Sequence, residues 1–299
     1  MSETPLGGII AASITPVTPL FEIDLERLEA HVGRLFADGC SHVSLFGTTG
    51  EGASFGTASK LAALKKLVER GMDMSRQLPA VMSPTLDDAA ACVKGYGALG
   101  CRAALVLPPF YYGASEAGIA AFFDELIRRT EAETNIDIVL YNIPQLSGIR
   151  FTPSLVSTLL ERHGDRIVGI KDSTGDLESG LTLVKNFPQL AIFTGDDRVL
   201  PVLVKAGGAG MIGGLPNLFA RDLKALYDSP DDAALLEGQT RRILAVDAHG
   251  SLVGLKGALA HYQNDENLAR AVPPLLALNA AERASLVNIF DSTGYLAAA

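Results

Sequence analysis

Short apolar runs alternate along this chain with longer segments whose apolar residues recur every three or four positions. Ile9 to Ala12 form the first short run, and Leu25, Leu28, Val32, Leu35 and Phe36 then repeat at helical spacing. The same alternation predicts strands ending near positions 14, 47, 83, 107, 141, 171, 194 and 212. Helices are predicted over 24–36, 57–70, 86–99, 115–133, 153–162, 177–186, 199–205 and 218–227. Gly39, Gly71 and Gly100 close three of them. The strands are apolar without a break, as in a parallel sheet covered on both faces. Eight strand–helix units at this spacing predict a (β/α)8 TIM barrel, with a doubly wound open sheet as the alternative. After position 228 the strands stop, and 235–247, 252–262 and 275–290 carry helical spacing. The expected organisation is a catalytic barrel over 1–228 and a C-terminal three-helix domain over 229–299.

A barrel gathers its chemistry where its strands end. Three polar stretches directly follow strands: Gly47-Thr48-Thr49-Gly50-Glu51, Tyr141-Asn142-Ile143-Pro144 and Lys171-Asp172-Ser173-Thr174-Gly175. They are expected to ring one pocket. Lys171 ends the run Ile167-Val168-Gly169-Ile170, at the edge of an apolar core. A neutral lysine amine can attack a ketone and form a Schiff base, whereas a lysine that snorkels to solvent does nothing of the kind. Gly47 and Gly50 let the Thr48-Thr49 loop turn sharply and present N–H groups to a carboxylate; a plain glycine-rich turn is the alternative. A 2-keto acid combines a carbonyl for the lysine with a carboxylate for that loop. The Tyr141 hydroxyl, beside a threonine hydroxyl, can carry protons for the same reaction, or can be a satisfied core phenol.

Other motifs compete. Gly208-Ala209-Gly210-Met211-Ile212-Gly213 matches a dinucleotide fingerprint, but it lies inside a predicted strand. It can equally form a phosphate corner or allow close packing. Asp196-Asp197 can bind substrate hydroxyls or cap a helix. The five histidines, His31, His42, His163, His249 and His261, have no ligand spacing, so no metal centre is expected. A net charge of −9 argues against nucleic acid and anionic membrane surfaces as partners. No apolar run approaches a membrane span, and the N-terminal residues do not resemble a signal peptide. Three cysteines, an odd number, read as buried thiols in a reducing cytoplasm.

Taken jointly, G-T-T-G-E at 47–51, Y-N-I-P at 141–144 and G-I-K-D-S-T-G at 169–175 resemble the dihydrodipicolinate synthase / N-acetylneuraminate lyase family over nearly the whole chain. The resemblance implies a barrel with a C-terminal helical domain, no cofactor, and a Schiff base between a pyruvate-type acid and Lys171. Tyr141 matches the family's phenol, Thr48 its relay threonine, and Thr49 its carboxylate binder. Tyr111 resembles a second relay tyrosine donated across a dimer interface. The Gly195 backbone and the Ile212 side chain resemble the pyruvate-pocket lining. A homotetramer built as a dimer of dimers is also implied. Several positions depart from the pattern. Leu146 stands where true synthases carry an arginine, and Thr57 and Lys60 stand where feedback-site histidines would be. The stretch 141–148 looks more like the neuraminate lyase version, yet Arg198 and Gly214 replace that branch's acidic residue and serine. What remains is a lyase for a 2-keto-3-deoxy sugar acid or a similar pyruvate lyase. Authentic 4-hydroxy-tetrahydrodipicolinate synthase and a non-catalytic keto-acid-binding protein are the alternatives. Arg198 is expected either to select a second acidic group or to point to solvent.

Overall fold

The computed structural model describes residues 6–294. Eight parallel strands form one sheet: β1 (Gly8–Ala12), β2 (His42–Ser44), β3 (Ala80–Val81), β4 (Ala103–Val106), β5 (Asp137–Asn142), β6 (Ile167–Asp172), β7 (Ala191–Thr194) and β8 (Gly210–Gly213). Their order is β2-β1-β8-β7-β6-β5-β4-β3. The two ends of this order are joined by backbone bonds from Leu78 N to Val43 O and from Ala80 N to Leu45 O, both 2.8 Å. Helices α1 (Leu25–Ala37), α2 (Thr57–Glu69), α3 (Leu86–Ala98), α4 (Glu116–Thr130), α5 (Pro144–Ser147), α6 (Pro153–His163), α7 (Leu177–Asn186), α8 (Leu200–Lys205) and α9 (Pro216–Asp228) link or follow the strands. This is the (β/α)8 barrel.

Strand parity explains why the core has two layers. Ile9 and Ala11 on β1, Ala104 and Val106 on β4, Ile138 and Leu140 on β5, and Ile170 and Ile192 on β6 and β7 pack outward against the helices. Their neighbours Ile10, Ala12, Ala103, Leu105, Val139, Tyr141 and Phe193 fill the barrel interior. Successive side chains on a strand alternate faces. With Leu140 and Ile170 outward, Tyr141 and Lys171 must point inward. The register of β5 on β6 pairs Tyr141 with Lys171 directly.

Helices α10 (Ala233–Ala248), α11 (Leu252–Tyr262) and α12 (Ala280–Ser292) follow the barrel. The apolar spacing from 275 extended the last helix too far toward the N-terminus. The chain passes through Pro273-Pro274, where proline lacks the backbone donor a helix needs. Asn279 then starts α12 by accepting from Glu282 N, while the Glu282 side chain accepts from Asn279 N. Strand two also ends earlier than its apolar run suggested. Phe46 takes φ 59° and turns the chain into the threonine loop. Helix α5 is absent from the periodicity reading because one turn is too short to show a period. Pro144 begins it, and Gly148 at φ 70° ends it.

Candidate active site

At the C-terminal ends of the strands lies a cavity of about 550 Å³. Thr48, Thr49, Tyr141, Leu146, Lys171, Gly195, Arg198 and Ile212 all line it. Eight of the nine residues singled out from the sequence are thus brought together. Lys171 is 5% exposed. Its Nζ lies 4.2 Å from the centroid of the Tyr141 ring. The Tyr141 hydroxyl is 3.0 Å from Thr48 Oγ1. An amine, a phenol and an alcohol therefore follow one another from β6 to β5 to the loop after β2.

The loop holds its shape through its backbone. Phe46 and Glu51 both adopt left-handed conformations, at φ 59° and 53°. Such angles in residues with side chains are strained and persist only where the surroundings enforce them. Here Gly52 N donates to Gly47 O at 3.0 Å, Glu51 N to Thr48 O at 3.1 Å, and Thr15 Oγ1 to Gly50 O at 2.7 Å. Gly52 is required: any Cβ there would overlap the Phe46 carbonyl. Gly195 is similar, because a Cβ would overlap the Ser173 side chain. Next to Lys171, Asp172 is buried and its carboxyl is raised by loss of hydration, with hydrogen bonds to Ser179, Thr174 and Asn142 opposing. Asn142 Nδ2 reaches Asp172 Oδ1 at 3.0 Å and so ties β5 to β6 beside the Tyr141–Lys171 pair.

Arg198 faces the cavity already paired with an acid of its own turn. Its Nε and Nη2 contact Asp196 Oδ1 and Oδ2 at 3.0 and 2.6 Å. Asp197 neither binds there nor caps a helix. It is fully buried with neither carboxyl oxygen hydrogen-bonded, and burial pushes it up to about 8. The glycines at 208–213 serve packing. A Cβ on Gly208 would press on Leu203, and one on Gly210 would overlap Gly8 O. Tyr111 does not line the cavity; it is 78% exposed and stacks edge-on with Tyr112.

The roof was not anticipated. Ile243, Val246 and Asp247 from α10, and Ser251, Leu252 and Leu255 from the turn into α11, close over the strand ends. The one available signal was the composition of α11, where Lys256 and His261 are the only charged or ionisable interruptions before Tyr262 and residues 253–260 are all buried. Lys256 on α11 forms a buried ion pair with Glu51 of the threonine loop. That contact joins the roof to the loop that carries Thr48.

A parallel barrel with a lysine amine at its strand ends is the architecture of a Schiff-base lyase. The model of the dihydrodipicolinate synthetase family matches residues 5–292, so the chain belongs to that family. It is 34% identical over 291 residues to an uncharacterized DapA-like lyase of Chloroflexus aurantiacus, covering 95% of this chain and 96% of that protein. A 4-hydroxy-tetrahydrodipicolinate synthase of Staphylococcus haemolyticus is 25% identical, over 95% of this chain and 96% of that one. The crystal structure of dihydrodipicolinate synthase from Agrobacterium tumefaciens superposes with a TM-score of 0.90 at 29% identity, covering 96% of this chain and 99% of that one.

Proposed function

We propose that this enzyme is a lyase that holds a pyruvate-type 2-keto acid as a Schiff base on Lys171. The supporting observation is the line of groups from Lys171 Nζ over the Tyr141 ring, and from the Tyr141 hydroxyl to Thr48 Oγ1, in an open cavity at the strand ends. The amine adds to the C2 carbonyl, and loss of water from the carbinolamine leaves an iminium. Tyr141, relayed by Thr48, delivers and removes the protons of those steps. For a substrate with a hydroxyl on C4, removal of that proton breaks the C3–C4 bond. The aldehyde departs and an enamine remains, which is protonated on C3 and hydrolysed to pyruvate and free lysine. Thr49 and the backbone N–H groups of its loop receive the substrate carboxylate, while Gly195 and Ile212 flank it. Tyr111 reaches the relay of a neighbouring copy in a tetramer, for which its exposed ring beside Tyr112 is suited. Cys40, Cys92 and Cys101 are free and buried, as suits a reducing cytoplasm.

The named relatives favour a second reading, condensation of pyruvate with aspartate semialdehyde. Leu146 opposes it, because an apolar side chain on the cavity wall offers a substrate carboxylate no hydrogen bond. Proton exchange tests the leading reading without knowing the second substrate. In D₂O the enzyme should exchange the methyl protons of pyruvate through the enamine, and Lys171→Ala should abolish the exchange. Exchange that persists in Lys171→Ala refutes the proposal. Efficient condensation with the semialdehyde would select the second reading.

A further inference from the structure

The cavity has an outer end that the Schiff-base chemistry does not use. Among the described residues that line it, the charged side chains are Lys171, Asp196, Arg198 and Asp247. Lys171 is at the floor, and Asp247 comes from α10 in the roof. Arg198 is held by both oxygens of Asp196, at 3.0 and 2.6 Å, and its own N–H also donates to Asp196 Oδ1 at 2.9 Å. That carboxylate takes two of the five guanidinium N–H groups and balances the arginine's charge, so the pair offers the cavity no net positive charge. The Asp196 side chain is 11% exposed and that of Arg198 42%, so the carboxylate is sheltered while the guanidinium meets solvent at the cavity mouth. Asp247 has a looser setting, with Ser251 Oγ at 3.5 Å. Loss of hydration raises the Asp247 carboxyl, Arg198 draws it down, and Asp196 raises it, so the three groups share one field. Ser251 lines the same end in a strained conformation, φ 53° and ψ −105°, which holds its hydroxyl at the turn between α10 and α11.

The charges can be added up for the occupied site. The iminium on Lys171 carries one positive charge, and the carboxylate beside it in the substrate cancels that. Arg198 and Asp196 cancel each other. Asp247 is left over. We propose that Asp247, backed by the closed Asp196–Arg198 pair, is a charge filter that selects 2-keto acids with a neutral, hydroxylated far end and rejects those ending in a second carboxylate. Hydroxyls on the tail donate to Asp247 and accept from Ser251. A second carboxylate meets the like charge of Asp247, and an arginine whose charge Asp196 already balances. This rests on the Schiff-base reading above and specifies the substrate class for that site.

The test compares a 2-keto-3-deoxyhexonate with the corresponding 2-keto-3-deoxyhexarate, which differs by a terminal carboxylate. Each competes with ¹³C-labelled pyruvate for borohydride trapping on Lys171 within less than one turnover, and the half-protecting concentration is read by mass spectrometry from the labelled adduct alone, so that unlabelled pyruvate released by cleavage is not counted. In the wild type the hexonate should protect at a concentration about fivefold lower or better, the least that one nearby like charge costs. Asp247→Asn keeps the shape and removes the charge, so it should bring the two values together. Added salt should also narrow the gap in the wild type and leave Asp247→Asn unchanged. A purely structural role for Asp247 would not produce that difference in salt response. Equal protection by the two acids in the wild type, or a gap unaltered in Asp247→Asn, overturns the filter alone. No pyruvate adduct on wild-type Lys171 brings down the Schiff-base reading itself, and the filter with it.

Discussion

Lys256→Met removes one half of the buried pair that joins the roof to the threonine loop. Both side chains of the Glu51–Lys256 pair are 0% exposed. Lys256 Nζ also donates to Arg270 O at 2.7 Å, and Glu51 Oε2 accepts from Val272 N at 2.6 Å. Burial lowers the Lys256 ammonium while Glu51 acts against that shift, as expected for a pair that is costly to separate. In the variant Glu51 keeps a single N–H partner in surroundings without water. Leaving a charge unpaired in this way costs about 3–5 kcal/mol. For a chain of this size that lowers the melting temperature by roughly 6–20 °C, at about 2–4 °C per kcal/mol. The cost is structural, so Glu51→Gln combined with Lys256→Met should recover about half of it by removing both charges. Activity should not recover in step. Glu51 follows Thr48 by three positions at a strained φ of 53°, and its carboxylate anchors that strain to the roof. A shift of Thr48 by about 1 Å is enough to slow proton transfer roughly 100-fold. Circular dichroism melts and pyruvate methyl exchange measure the two effects separately. A Lys256→Met melt within about 2 °C of the wild type, less than 1 kcal/mol, refutes the reasoning.

Asp197 sets a stability limb of unusual sign. Its carboxyl moves from an ordinary 3.8 to about 8 in the folded chain, so the fold keeps a proton that the unfolded chain releases. Stability should therefore fall as pH rises from about 4 to about 8, and Asp197→Asn should flatten that limb in denaturant titrations; an unchanged limb counts against the assignment. Tyr141→Phe keeps the buried ring and deletes the hydroxyl at 3.0 Å from Thr48, so pyruvate exchange should slow by roughly 10²–10⁴-fold with little change in melting temperature. Gly214→Ser places a Cβ 3.0 Å from Leu255 Cδ1 and 3.4 Å from Thr49 Oγ1. Steady-state exchange should then show KM for pyruvate rising several-fold, with kcat nearly constant, because the crowding falls on Leu255 and Thr49 of the cavity wall and not on Lys171.

What could be read from the chain follows the range of the interactions involved. The barrel was legible because each strand carries its own apolar run and each helix its own period, both of which are local. Lys171, Tyr141 and Thr48 were legible because a barrel places strand-end residues on one face, so that three separate stretches imply one pocket. The pairing of Glu51 with Lys256 spans 205 positions, and no local pattern announces it. The roof residues Asp247 and Ser251 were hidden for the same reason. The pairing of Arg198 was missed at short range. Its partner lies two residues back, where the turn after β7 folds the guanidinium onto Asp196. Helix α12 was overextended because Leu275 and Leu278 keep the apolar rhythm, whereas the Asn279 cap decides where the helix begins.

The central claim is that Lys171 is the amine that binds the keto acid. Incubation of the wild type with pyruvate and borohydride, followed by peptide mass mapping, tests it directly. One reduced pyruvate should appear on the peptide that contains Lys171, and no such adduct in Lys171→Arg, whose guanidinium stays protonated. An adduct on another lysine, or labelling that survives in Lys171→Arg, contradicts it.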